Sequence, residues 1–128
     1  MITHHKNMQV VATAYCPKEG HIGGGNRTKT GDYVRKGVIA VDSKVIPLYS
    51  RVRIPGYGEA LALDTGGAIN RSHIDLAFDS VSEMRKWGKR YIRIDVIEEP
   101  ASRHLTREQM IKLRHYYGLD NRRFRKKH

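Results

Sequence analysis

The sequence is poor in the residues and runs that mark easily recognised protein classes. Its one cysteine, Cys16, leaves no internal disulfide to build and no cysteine cluster for zinc. A lone thiol is tolerated on either side of a membrane, so the redox compartment stays open. No apolar run approaches a membrane span, and the opening MITHHKNMQVVATAYC carries no h-region of a secretory signal. The expectation is a soluble chain with no signal peptide of its own, such as a phage lysin or an excised domain.

Acidic residues are scarce, with 13 Asp plus Glu against 24 Lys plus Arg and a formal net charge of +11. That imbalance predicts a polyanionic partner, either nucleic acid, an acidic membrane surface or an anionic wall polymer. Recognition-helix, RNP and zinc-knuckle patterns are missing, which argues against nucleic acid. Familiar catalytic signatures are missing as well. The glycine run at 23–25 is not followed by GKS or GKT, the seven histidines form no HExxH, and there is no D-x-D-x-D-G calcium loop. No nucleophile elbow appears, and Cys16 with His21 lacks the context of a catalytic pair. Neither a metal nor a cofactor is expected, and the oligomeric state is open.

What the sequence does contain is a series of short β-patterned runs in a length that suits one domain with one core. MQVVATAY (8–15) reads as a first strand, followed by the long polar loop CPKEGHIGGGNRTKTGD. KGVIAVD, RVRIPGY, EALALD, HIDLAFD and RYIRIDVIE supply five more, with Pro47 limiting regular pairing in SKVIPLYS. Six short strands point to a compact barrel or sandwich.

Two helices are signalled. Ser80 and Glu83 form a capping box for a short helix that buries Val81, Met84 and Trp87 and stops at Gly88. Thr106 and Gln109 form a second box, with Leu105 and Met110 placed as a hydrophobic staple. Met110, Leu113 and Tyr117 give that helix one apolar stripe before Gly118, so it docks on the domain or on a partner. The tail NRRFRKKH reads as a solvated basic terminus.

The stretch LALDTGGAINRSHIDLAFDS gathers three of the few carboxylates. Strand alternation in HIDLAFD sends Ile74, Leu76 and Phe78 to the core and His73, Asp75, Ala77 and Asp79 the other way. Asp79 serves as the approach to the helix cap at Ser80. Asp64 enters Thr65-Gly66-Gly67, a turn whose two glycines let the backbone pass close to something else, and Asp42 closes its strand in a similar way. Converging on one cleft, such aspartates would hold a divalent cation or keep one carboxyl protonated as a general acid. The absence of a calcium loop favours the acid.

These words, VIAVD, VIPL, IPGYGEALALDTGGAI and HIDLAFDS followed by a helix and a last strand, resemble the three-aspartate (3D) domain over about Val10 to Ile97. That family is related to the catalytic part of membrane-bound lytic transglycosylase A and to stationary-phase survival and resuscitation-factor-like wall enzymes. The resemblance implies a mainly β fold, a six-stranded double-psi β-barrel over residues 1–98. Residues 99–128 would add a C-terminal helix and basic tail.

The implied activity is that of a lytic transglycosylase acting on peptidoglycan glycan strands, in the cell wall or outside the cell. It cleaves the MurNAc-β-1,4-GlcNAc bond and leaves 1,6-anhydro-MurNAc. By the same resemblance Asp75 is the acid, with Asp64 shaping the site and Asp42 in support; like-charge repulsion from Asp64 is expected to raise the pKa of Asp75. Thr65, Gly66, Gly67, Thr13 and Tyr15 are assigned to the substrate. A non-catalytic, expansin-like wall-binding module is the alternative. Two motifs depart from the family pattern: Pro47-Leu48-Tyr49-Ser50 stands for PLGT, and INRSHID for IKGNRID.

Overall fold

The computed structural model describes residues 2–17 and 27–119, with the backbone alone at 2–5. His21, the glycine run and the tail NRRFRKKH lie outside the described residues. The strands are β1 (Ile2–Tyr15), β2 (Val38–Ala40), β3 (Arg51–Ile54), β4 (Gly58–Asp64), β5 (His73–Ala77) and β6 (Arg90–Glu99). The helices are α1 (Val81–Trp87) and α2 (Arg107–Tyr117). The strands close into a barrel in the order β1-β5-β2-β4-β3-β6. β1 runs parallel to β5 and β2 parallel to β4, while the other neighbours are antiparallel. This is the mainly β, six-stranded double-psi architecture expected.

Strand lengths differ from the sequence reading for reasons of pairing. β1 begins at Ile2 rather than at Met8, because it keeps pairing with β6 as far as Glu99 across an irregularity between Thr3 and Lys6. β2 is only three residues long. After it the chain turns at Asp42, whose carbonyl accepts the Val45 and Ile46 amides, and Pro47 opens the next turn, its carbonyl accepting the Ser50 amide.

Alternation along the strands builds two apolar layers. Val10, Ala12, Ile39, Val52, Ile54, Ala60, Ala62, Ile74, Leu76, Ile94 and Val96 fill the barrel interior. Val38, Leu63 and Ala77 face outward, and there they are covered by Leu113 of α2, by Leu119 and by Tyr49. The non-core face of HIDLAFD is therefore partly buried, Ala77 completely so. α2 docks on the barrel itself.

Both helices start where predicted, with differences in detail. At α1 the Ser80 hydroxyl accepts the Glu83 amide at 3.1 Å, but the Glu83 carboxylate meets that hydroxyl rather than the Ser80 amide. Trp87 is buried, whereas Val81 and Met84 are only half-buried. The Trp87 indole donates to the Ala12 carbonyl at 3.0 Å and packs near Tyr57 and Phe78 at the barrel end. α2 has the full reciprocal box between Thr106 and Gln109. Its C-terminus closes with the Gly118 amide on the His115 carbonyl and the Leu119 amide on that of Arg114, a Schellman pattern. This turn drives Leu119 into the core in place of Met110, which stays 37 % exposed.

Among the described residues, two other than glycine take the left-handed conformation, Tyr49 at φ 73° and Arg71 at φ 54°. They occupy the glycine positions of PLGT and IKGNRID. A side chain there costs about 1–2 kcal/mol. At Tyr49 burial of the ring offsets the cost, together with bonds from Tyr117 Oη to its carbonyl at 2.7 Å and from Arg114 to its hydroxyl at 3.3 Å.

Candidate functional site

Side chains paired directly across neighbouring strands share a face, which makes register the way to find what the barrel brings together. Thr13 pairs with Asp75, Asp75 with Ala40, and Ala40 with Asp64. These four residues form one row across β1, β5, β2 and β4 on the outer face. At about 4.8 Å per strand step the two aspartate Cα atoms stand roughly 10 Å apart. Ala40 is the residue paired with both of them.

Asp64 reaches that row through a break in register. Simple alternation in EALALD would place Asp64 with Ala60 and Ala62, inside the barrel. Between Ile39 and Ala40 the pairing shifts from Ile39↔Ala62 to Ala40↔Asp64, passing over Leu63. A bulge of this kind puts consecutive side chains on one side, so Leu63 and Asp64 both face out. Leu63 enters the layer under α2, and Asp64 joins Asp75.

The row lies at the border of that covered layer, which accounts for its electrostatics. Burial pushes the Asp75 carboxyl above the usual range, while the Thr13 hydroxyl bond and the His73 charge pull it down and Asp64 adds a further upward push. The expected repulsion from Asp64 is therefore present but subordinate to burial. Burial also raises Asp64, opposed by the Lys29 and Thr65 amides on its Oδ1 at 2.8 and 2.9 Å. The Tyr15 phenol is raised by burial first and then by both aspartates. Its Oη is enclosed and has no hydrogen-bond partner among the described residues.

Thr13 donates to Asp75 Oδ1 at 2.9 Å, lies 3.3 Å from the Ile74 carbonyl, and meets His73 Nε2 at 2.8 Å. Its first described role is thus toward the carboxyl. Thr65 contacts Asp64 through its amide, and Gly66 and Gly67 are exposed. The close approach at the glycine pair is internal: a Cβ on Gly66 would stand 3.0 Å from Ile69 Cγ1, whereas one on Gly67 would meet nothing within 4 Å.

Asp42 sits elsewhere. Its carboxylate accepts the Lys44 amide at 3.0 Å and the Arg71 amide at 2.8 Å, tying the turn after β2 to the turn before β5. Those two bonds hold it below the usual carboxylate range. Asp79 accepts the Lys36 amide at 2.9 Å, so it fastens a loop while Ser80 alone caps α1.

Sequence reasoning missed two parts of the site. Ala40 is one, and its only signal is a small residue at the end of an apolar strand. The other is the support behind Asp64. Arg114 of α2 forks onto buried Asp32 at 2.5 and 3.0 Å, and Asp32 takes the Thr30 hydroxyl at 2.7 Å. Thr30 also bonds the Leu63 carbonyl, and its neighbour Lys29 supplies the amide on Asp64. Among the described residues no group of three or more His, Cys, Asp or Glu is placed to hold a metal ion. No described helix is long and apolar enough to cross a membrane. Clefts of about 510 and 300 Å³ flank α2, and neither is lined by Asp64 or Asp75.

Residues 37–98 match the 3D domain family. The cell wall-binding protein YocH of Bacillus subtilis is 45 % identical over 96 residues, which is 72 % of this chain and 33 % of that protein. The putative cell wall shaping protein YabE of the same organism is 40 % identical over 96 residues, 72 % of this chain and 23 % of its own length. The chain thus spans well under half of these curated relatives. Among solved structures, MltA from E. coli aligns over 57 % of this chain and 27 % of its own, at 20 % identity and a TM-score of 0.45. With its closed barrel and its VIAVD, DTGGAI and HIDLAFDS segments in order, the chain carries a 3D domain over residues 37–98.

Proposed function

We propose that this protein is a peptidoglycan lytic transglycosylase in which Asp75 acts first as acid and then as base. One observation carries the reading: a half-buried carboxyl with raised proton affinity faces a second carboxyl across a single alanine, on an open strand face. An ordinary glycosidase needs two carboxylates to handle the leaving oxygen and a water or nucleophile. Here one is enough. Asp75 gives its proton to the glycosidic oxygen as the bond from muramic C1 breaks, and the sugar's own C6 hydroxyl attacks C1. The Asp75 carboxylate then takes the hydroxyl proton, so no water is consumed and the acid is restored. Holding the C6 hydroxyl next to C1 supplies the nucleophile by proximity.

Asp64 stabilises positive charge on the sugar ring in this scheme. Thr65, Gly66 and Gly67 form the exposed edge along which the glycan lies, Tyr15 holds an unspent donor beside both carboxylates, and Asp42 supports the turns that frame β5. A long polymer suits an open face better than an enclosed pocket. The net charge of +11 suits a wall bearing anionic polymers. The second reading, a wall-binding module without cleavage, is favoured by the relative named as a cell wall-binding protein.

Mass spectrometry of purified peptidoglycan after incubation separates the two. The wild type is expected to generate anhydro-muramic ends, and Asp75→Asn to lower their rate by about 100-fold or more while still sedimenting with the wall. Wall binding with no anhydro product from the wild type would leave only the binding module.

A further inference from the structure

The Thr13 hydroxyl owns one proton and stands among three groups that could engage it. His73 Nε2 lies at 2.8 Å, Asp75 Oδ1 at 2.9 Å and the Ile74 carbonyl at 3.3 Å. A threonine hydroxyl donates one bond and accepts up to two. When His73 Nε2 carries a hydrogen it can only donate, so Thr13 Oγ1 accepts from it and keeps its proton for an oxygen. Of the two oxygens available, Asp75 Oδ1 is the nearer, and when ionised it is also the stronger acceptor. When His73 Nε2 is bare, it competes with Asp75 for the same proton.

We propose that His73 is a positioning residue for Asp75: its Nε2–H holds the Thr13 hydroxyl aimed at Asp75 Oδ1, leaving Oδ2 as the oxygen that carries the transferable proton. The strand pattern makes this chain of bonds possible. His73 and Asp75 are two apart on β5 and share a face, and β1 runs parallel beside them with Val11 opposite His73 and Thr13 opposite Asp75. Thr13 is thereby within reach of both side chains, and no side chain of β2 competes, because the residue opposite Asp75 there is Ala40.

Among the described residues the remaining groups facing this row are few. Asp64 approaches from β4, and the Tyr15 phenol lies two residues beyond Thr13 on β1. On the His73 side, Tyr91 of β6 stands across Val11, with the Lys89 ammonium 5.8 Å from its ring. Loss of the Thr13 bond or of the His73 charge moves the Asp75 carboxyl upward, since both oppose the effect of its burial.

The proposal names the arrangement within the proposed catalytic site, so the test reads the carboxyl directly as well as the product. In ¹³C-labelled protein without substrate, the Asp75 carboxyl carbon is followed by NMR across a pH titration in the wild type, His73→Leu, Thr13→Val, Thr13→Ser and the double variant His73→Leu/Thr13→Val. His73→Leu and Thr13→Val are each expected to raise the Asp75 midpoint by roughly one pH unit. Thr13→Ser, which keeps the hydroxyl, should stay near wild type. In the Thr13→Val background the further effect of His73→Leu should shrink to less than half, because the bond that transmits it is gone.

A His73→Leu shift that persists in full without the hydroxyl overturns the proposal in favour of a bare field effect. An unmoved midpoint in His73→Leu overturns it outright. Anhydro product is measured on the same proteins. Coupling without product from the wild type refutes the enzyme reading alone, and product without coupling refutes the role of His73 alone.

Discussion

At the scale of single residues, burial decides the behaviour of the two paired aspartates. Asp75 is raised mainly by desolvation, so the folded state binds its proton more tightly than the unfolded chain does. Its contribution to stability is full below the unfolded carboxylate range, near pH 4, and is lost as pH rises through the folded value. Asp75→Asn should therefore be more stable than the wild type at pH 7, by about 0.5–1 kcal/mol after allowance for its partial exposure, and equal to it near pH 3. Thermal unfolding at the two pH values checks this, and a gap of the same size at both would mean that charge is not the cause.

The residues also divide by how readable they were. His73 and Asp75 declare their shared face by the two-residue period of HIDLAFD, which needs no knowledge of the fold. Ala40 and Tyr15 declare nothing locally. Their part depends on which strands become neighbours, and that is set by the topology of the barrel. Tyr49 and Arg71 are a different case, since their left-handed backbone coincides with the two motif positions that lack the glycine.

At the scale of elements, the strands and both helix starts were legible because alternation and capping boxes are local patterns. The bulge at Leu63 was not. It appears only when β4 is laid beside β2, and without it Asp64 would point into the barrel. The seam of α2 was displaced for a similar reason, since Leu119 enters the core only through the turn at Gly118. The loop at 27–33 read as plain polar connection, yet its Asp32 is buried under α2. Arg114 completes a fork on that aspartate, and removing it leaves a buried charge without its counter-ion. Arg114→Leu should cost about 3 kcal/mol in urea unfolding, with the double variant Arg114→Leu/Asp32→Ala losing less than the two single variants together. A loss below about 1 kcal/mol for Arg114→Leu would show that α2 is held by its apolar contacts instead.

At the scale of the whole molecule, the proposed function gives positive charge and the acidic row separate tasks. Attraction of a strongly basic chain to an anionic wall is long-ranged and salt-sensitive, whereas proton transfer at Asp75 is a contact event. Sedimentation with walls bearing anionic polymers should fall steeply between about 0.01 M salt, where screening reaches roughly 30 Å, and about 1 M, where it reaches roughly 3 Å. Walls stripped of those polymers should bind less and lose most of that salt dependence. Binding indifferent to both treatments would assign recognition to the glycan alone.

The row of Thr13, Asp75, Ala40 and Asp64 draws on four strands whose spatial order is not their order along the chain. A contact pattern of this kind forms late and slowly, because distant segments must be joined before any of them gains. The strand that closes the barrel, β6, is also the last of the six to leave the ribosome. A nascent or partly folded chain can hold all four residues and still present no paired carboxylates. Whatever the row does, that capacity is withheld from the chain until the barrel has closed.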